Sequence, residues 1–140
     1  VKEIIELRSM NQRSSLLAGA ILGALGVALG AFGAHAFKTM LVETGRLETY
    51  ELAVRYEFYH TFALLSAGIL QQFIQTKYTR LASLFFLLGT ILFSGSLYLL
   101  CFTNNALFAM ATPFGGVLLI SGWALLTVGI ISWKKIKPSC

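Results

Sequence analysis

Residues 16–37 read LLAGAILGALGVALGAFGAHAF, a run with no Asp, Glu, Lys or Arg. A helix rises 1.5 Å per residue, so ~20 apolar residues cover a hydrocarbon layer about 30 Å thick. Lipid offers no partner to a bare backbone N–H or C=O, and such a run must bond internally as a helix. Three further uncharged runs follow at about 58–74, 81–102 and 113–133. Together they predict an all-α integral membrane protein, folded as an antiparallel four-helix bundle. Its membrane domain is expected over 16–133, between a cytoplasmic N-terminal segment, 1–15, and a cytoplasmic basic tail, 134–140. With 140 residues, little chain is left for a separate soluble catalytic domain.

The chain is 56% hydrophobic and 12% charged, with a mean hydropathy of +0.74, against about 25% charged residues in an ordinary soluble domain. Its net charge of +5 does not point to nucleic acid, because the cations sit at span ends and not on one aromatic-interleaved face. They report topology instead. Lys2, Arg8, Arg13, Lys77, Arg80, Lys134, Lys135 and Lys137 fall on one side of the predicted bilayer, against Lys38, Arg46 and Arg55 on the other. The positive-inside rule then places both termini in the cytoplasm. Trp133, just before the tail lysines, suits an interfacial anchor. Cys101 and Cys140 fall on opposite sides, too far apart for a disulfide, and are expected as free thiols. The first run exceeds the ~7 to 15 residues of a signal-peptide core and is expected to be retained as a span.

Gly19, Gly23, Gly26, Gly30 and Gly33 alternate at spacings of four and three, forming one narrow stripe. Small residues let helices approach closely where packing replaces the hydrophobic effect. Ala24, Ala28, Ala31 and His35 form a second small row, so the first helix is expected at the centre of the bundle, with Leu22, Leu25, Leu29 and Phe32 toward lipid. The glycines lack the GxGxxG and the Lys-Ser/Thr ending of phosphate loops. In the first connection, 38–57, Leu47, Tyr50, Val54 and Phe58 recur at helical spacing. They predict a short amphipathic helix starting near Gly45 and running into the second span. Ser83, Thr90, Ser94 and Tyr98 stripe the third span beside Gly95 and Ser96, the pattern of a hydrogen-bonded packing seam. Thr112 and Pro113 read as an N-cap and first helical residue of the fourth span. Gly115, Gly122 and Gly129 give that span a small face every seven residues.

Chemical groups are scarce. His35 ends the first predicted span and His60 opens the second, with Tyr56, Glu57 and Tyr59 beside it. These five residues are the candidate polar cluster, expected at the outer interface, for a proton, a metal or a small polar ligand. Simple hydrogen bonding competes with that reading, since His35 near a helix C-terminus suits the free carbonyls there. His35, His60 and Glu57 are the whole nearby supply of metal ligands, so neither a metal nor any other cofactor is expected. The chain contains no Asp, and no Ser or Cys has an assignable His and carboxylate pair, so it is not expected to be an enzyme. The expected partners are the lipid bilayer and either a second copy or another membrane protein. Two functions compete: a non-enzymatic protein acting through helix or lipid contacts, and a small transporter or proton-linked channel using His35 and His60.

Five motifs carry a resemblance: Gly30-Ala-Phe-Gly-Ala-His-Ala36, Tyr59-His60, Ser94-Gly-Ser-Leu-Tyr98, Thr112-Pro-Phe-Gly-Gly116 and Gly122-Trp123. In this order, from Leu16 to Trp133, they resemble the YgdD/YwdK-like family of small bacterial inner-membrane proteins. The resemblance implies a multi-pass protein of the bacterial plasma (inner) membrane with no established activity or cofactor. Its motif residues fall on Gly33, His35, Tyr59, His60, Ser94, Gly95, Tyr98, Thr112, Pro113 and Gly115.

Overall fold

The computed structural model describes residues 10–133, so Lys2, Arg8, the tail lysines and Cys140 lie outside the described residues. Five helices follow one another: α1 (Gln12–Ala34), α2 (Lys38–Glu43), α3 (Leu47–Leu70), α4 (Lys77–Thr103) and α5 (Ala106–Ile131). No strand occurs among the described residues. α1, α4 and α5 are long and apolar enough to cross a membrane. α3 is equally long but carries Glu48, Glu51, Arg55 and Glu57 in its first half.

Local chemistry sets the helix ends. Asn11 Oδ1 accepts from the Ser14 amide at 2.9 Å to start α1, and Thr76 Oγ1 accepts from the Thr79 amide at 3.2 Å to start α4. The connection from α4 to α5 is only Asn104 and Asn105. Asn104 closes α4 in the left-handed region, at φ 52°, which asparagine tolerates. Asn105 Oδ1 then accepts from the Leu107 amide at 3.0 Å and caps α5. This corrects the expected start of the fourth span. Thr112 and Pro113 lie inside α5, whose true cap comes seven residues before Thr112. Thr112 instead joins α5 to α4 through a 2.8 Å bond between its Oγ1 and Ser96 Oγ. Neighbouring helices are what let a membrane helix tolerate an interior proline.

Glycines bring the helices together. A Cβ added at Gly19 would meet Leu65 at 2.7 Å, at Gly26 Phe58 at 3.1 Å, and at Gly33 the Tyr50 ring. Residue numbers fall on α3 as they rise on α1, so the two run in opposite directions. α4 and α5 do the same: Gly115 lies against Phe93, Gly122 against Phe86 and Gly129 against Thr79, while Gly89 receives Leu119. Gly95 has nothing within 4 Å of a built Cβ, and its expected role in packing is not realised. α1 packs on α3 and only slightly on α4, so it is peripheral rather than central. Its second row, Ala24, Ala28 and Ala31, is exposed. Leu22, expected toward lipid, is buried with Leu64, Ala67, Phe86 and Leu126 in the larger core cluster. A second cluster, around Leu41, Tyr50 and Cys101, closes the end where α2 sits.

The span expected at 58–74 also shifts. α3 begins at Leu47 as the amphipathic pattern predicts, but it stops at Leu70. Phe58 to Leu70 alone is too short to cross hydrocarbon, so a crossing by this helix must include its charged first half. The short helix α2 was not foreseen; it ends in a turn through Gly45, at φ 65°, a conformation open to glycine.

Candidate functional site

α3 and α4 share a polar seam. At one end Tyr98 donates a 2.6 Å hydrogen bond to Oε2 of Glu57, whose side chain is only 3% exposed. Tyr50 stacks edge-on to Tyr98, with ring centroids 5.1 Å apart, and its hydroxyl donates to the Leu29 carbonyl at 2.8 Å. One helical turn on from Glu57 lies Thr61, and one turn back from Tyr98 lies Ser94. Because the Glu57–Tyr98 bond sets the level of these opposed helices, Thr61 and Ser94 come level about 6 Å further in. At the other end Gln71 Nε2 donates to Ser83 Oγ at 2.8 Å and to Ser15 Oγ at 3.3 Å, tying together α1, α4 and the C-terminal cap of α3.

Three buried side-chain atoms among the described residues lack a hydrogen-bond partner: Thr61 Oγ1, Ser94 Oγ and the Gln71 Oε1. All three lie on this seam. An unmet polar group away from water costs roughly 1–3 kcal/mol, a local cost that the packing around the seam must offset.

His60 belongs to a second polar contact. Trp123 of α5 donates through Nε1 to His60 Nε2 at 3.4 Å, and His60 Nδ1 lies 2.9 Å from the Tyr56 carbonyl. Nε2 accepts, so the proton sits on Nδ1 and is donated to Tyr56. The ring is enclosed by Tyr56, Phe86 and Trp123.

The expected cluster is therefore split. Glu57 and His60 are buried on α3, while Tyr59 is 56% exposed. Tyr56 is half-buried and stacks on Phe93 of α4, with centroids 4.6 Å apart. His35 is exposed as the C-cap of α1, its backbone N–H bonded to the Ala31 and Phe32 carbonyls. Contrary to the expectation, His60 does not open its helix; it lies ~20 Å along α3 from the start at Leu47. The α1–α3 pairing puts it level with the middle of α1, whereas His35 stands at the end of α1. The two histidines form no joint site. No group of three or more His, Cys, Asp or Glu capable of holding a metal ion occurs among the described residues.

Thr61, Gln71 and Tyr50 are members of the site that the sequence reading passed over. Their signal was present: Glu57, Thr61 and Gln71 share one face of α3, opposite the Ser83, Thr90, Ser94 and Tyr98 stripe that was noticed.

A family model described as a protein of unknown function, DUF423, matches residues 29–116. The UPF0382 inner membrane protein YgdD of Escherichia coli (strain K12) is 44% identical over 128 residues, covering 90% of this chain and 95% of the relative. A UPF0382 membrane protein of Staphylococcus saprophyticus is 37% identical over 114 residues, covering 81% of this chain and 93% of its own length. One from Haemophilus influenzae is 37% identical over 117 residues, covering 84% and 93%. No solved structure matches. With most of both chains aligned at such identity, and with the motif order already noted from Gly30 to Trp123, the chain belongs to the DUF423, or UPF0382, family of YgdD-like membrane proteins.

Proposed function

We propose that this protein is a four-span, antiparallel helical bundle of the bacterial plasma membrane, with its membrane domain over 16–133 and both termini cytoplasmic. It acts through helix and lipid contacts, as an accessory or membrane-homeostasis protein and not as an enzyme. One observation carries this reading: the polarity of the molecule is turned inward while its perimeter is apolar. Glu57, Thr61, Gln71, Ser83 and Ser94 are buried, whereas Val27, Ile91, Phe114 and Ile120 are exposed, an arrangement that suits lipid and not water. The relatives' names, which call them membrane or inner membrane proteins, support the location. Purification in mild detergent should recover a homo-oligomer or a stable membrane-protein partner. A solitary monomer that carries a specific solute flux in liposomes would overturn the reading.

The polar seam favours a second reading, a small transporter or proton-linked channel. Intramembrane ionisable residues are costly and commonly mark such paths. The path would run between α3 and α4 through Glu57, Thr61 and Ser94 and would not use His35. Proteoliposomes loaded with a pH-sensitive dye test it: a proton flux lost in Glu57→Gln and kept in His35→Ala supports this reading, and no flux in the wild type removes it.

A further inference from the structure

The glycine stripe of α1 meets α3 tightly at Gly19, Gly26 and Gly33 but only in ordinary contact at Gly30. A Cβ built at Gly30 would only touch Val54 Cγ1, at 3.5 Å. The looseness opens, around the last turn of α1, into a groove of about 470 Å³. Gly30, Gly33 and Val54 supply a small, apolar lining, and the same groove is lined by Lys38, Glu51 and Arg55. We propose that this groove binds an anionic phospholipid, its phosphodiester held by Lys38 and Arg55 and the start of one acyl chain laid over Gly30 and Val54.

Three observations converge on that occupant. The first is charge: two cations against one carboxylate leave the lining with a single positive charge, which complements a phosphodiester monoanion. A guanidinium and an ammonium are the side chains suited to phosphate oxygens. Arg46, the remaining cation of this end, is engaged elsewhere, donating through Nε to Asn104 Oδ1 at 3.2 Å. The second is depth. α1 ends at Ala34, so its final turn stands where hydrocarbon gives way to headgroups if this helix crosses the bilayer. Arg55 lies further along the wall than Lys38, and its long aliphatic stem can cover apolar surface while the charged end reaches the phosphate. The third is the lining itself. A free phosphate ion would gain nothing from Gly30, Gly33 and Val54, whereas a lipid tail would continue past them over Val27 and the other exposed apolar residues of α1.

The inference rests on the membrane reading above and deepens it by naming a lipid class and its site. The test is native mass spectrometry of the full chain in mild detergent, with phosphatidylglycerol or phosphatidylethanolamine of identical tails added in turn. Phosphatidylglycerol should be retained several-fold better. Lys38→Gln with Arg55→Gln should lower its retention about tenfold, as loss of ~1.4 kcal/mol of binding would, at unchanged thermal stability. Glu51→Gln should raise retention, and it tests the site even if the double variant fails to fold. Gly30→Leu should reduce lipid retention by filling the lining. Full competition by millimolar inorganic phosphate would overturn the lipid in favour of the free ion. Equal retention of the two lipids, or retention of phosphatidylglycerol unchanged in the double variant, would overturn the site. If either of these occurs while the oligomer or partner persists, the site alone falls; a protein monodisperse in water without detergent would bring down both readings.

Discussion

Tyr98 and Glu57, 41 residues apart, are joined by a 2.6 Å hydrogen bond that fixes the level of α4 against α3. Removing the donor by Tyr98→Phe leaves a buried carboxyl without that partner. The cost should be roughly 1–3 kcal/mol, the usual penalty for a buried polar group left without its partner. Glu57→Gln keeps an acceptor and should cost less. A double-mutant cycle of Tyr98→Phe with Glu57→Leu, which removes the acceptor, followed by thermal unfolding in detergent, should give a coupling energy above ~0.5 kcal/mol; additive effects would show that the bond does not form.

Glycines that look alike in sequence should respond differently. A Cβ at Gly115 would fall 2.5 Å from the Phe93 backbone nitrogen, which cannot move without shifting α4. At Gly26 the obstacle is the Phe58 ring, a side chain that can turn aside. Gly115→Ala should therefore destabilise by ~1–3 kcal/mol, Gly26→Ala by less, and Gly26→Leu by more than Gly26→Ala. Gly95→Ala meets nothing and should be neutral or better, as should Leu25→Ala on an exposed face. Melting temperatures in one detergent compare them, and a Gly95→Ala penalty as large as that of Gly115→Ala would contradict the packing described.

Gln71 gives an asymmetric prediction. Its amide donates to Ser83 and Ser15, but its Oε1 has no partner. Ser83 and Ser15 also bond carbonyls of their own helix, Thr79 and Asn11. Gln71→Leu removes the unmet oxygen with the donor, so it should cost less than ~1 kcal/mol. Ser83→Ala leaves the amide with fewer partners and should cost more. The reverse order in thermal unfolding would show that the seam holds Gln71 by contacts other than these.

Topology can be read with reporters. A tag active only in the cytoplasm should work after Cys140 and fail when inserted at Gly45, the exposed turn between α2 and α3. Activity at Gly45 and silence at Cys140 would reverse the positive-inside assignment.

Much of the fold was legible in the chain because hydropathy is local. Three uncharged runs became α1, α4 and α5, and the glycine spacing on α1 marked the face that meets α3. The start of α3 near Gly45 was legible too, since Leu47, Tyr50 and Val54 keep one helical phase across the connection. Pro113 misled because proline is a strong local start or stop signal, whereas α5 starts at the Asn105 cap and runs on through Pro113.

The sequence by itself determined that the chain is helical, apolar on its perimeter and a member of its family, because each of these follows from residue types and their spacing along the chain. Only the tertiary structure decided the depth of His60, its separation from His35, the peripheral place of α1 and the alignment of Thr61 and Gln71 with the stripe on α4. Those depend on how far one helix slides along another. That register is set by contacts between distant residues, such as Gly33 with Tyr50 and Glu57 with Tyr98, and no periodicity within a single helix encodes it.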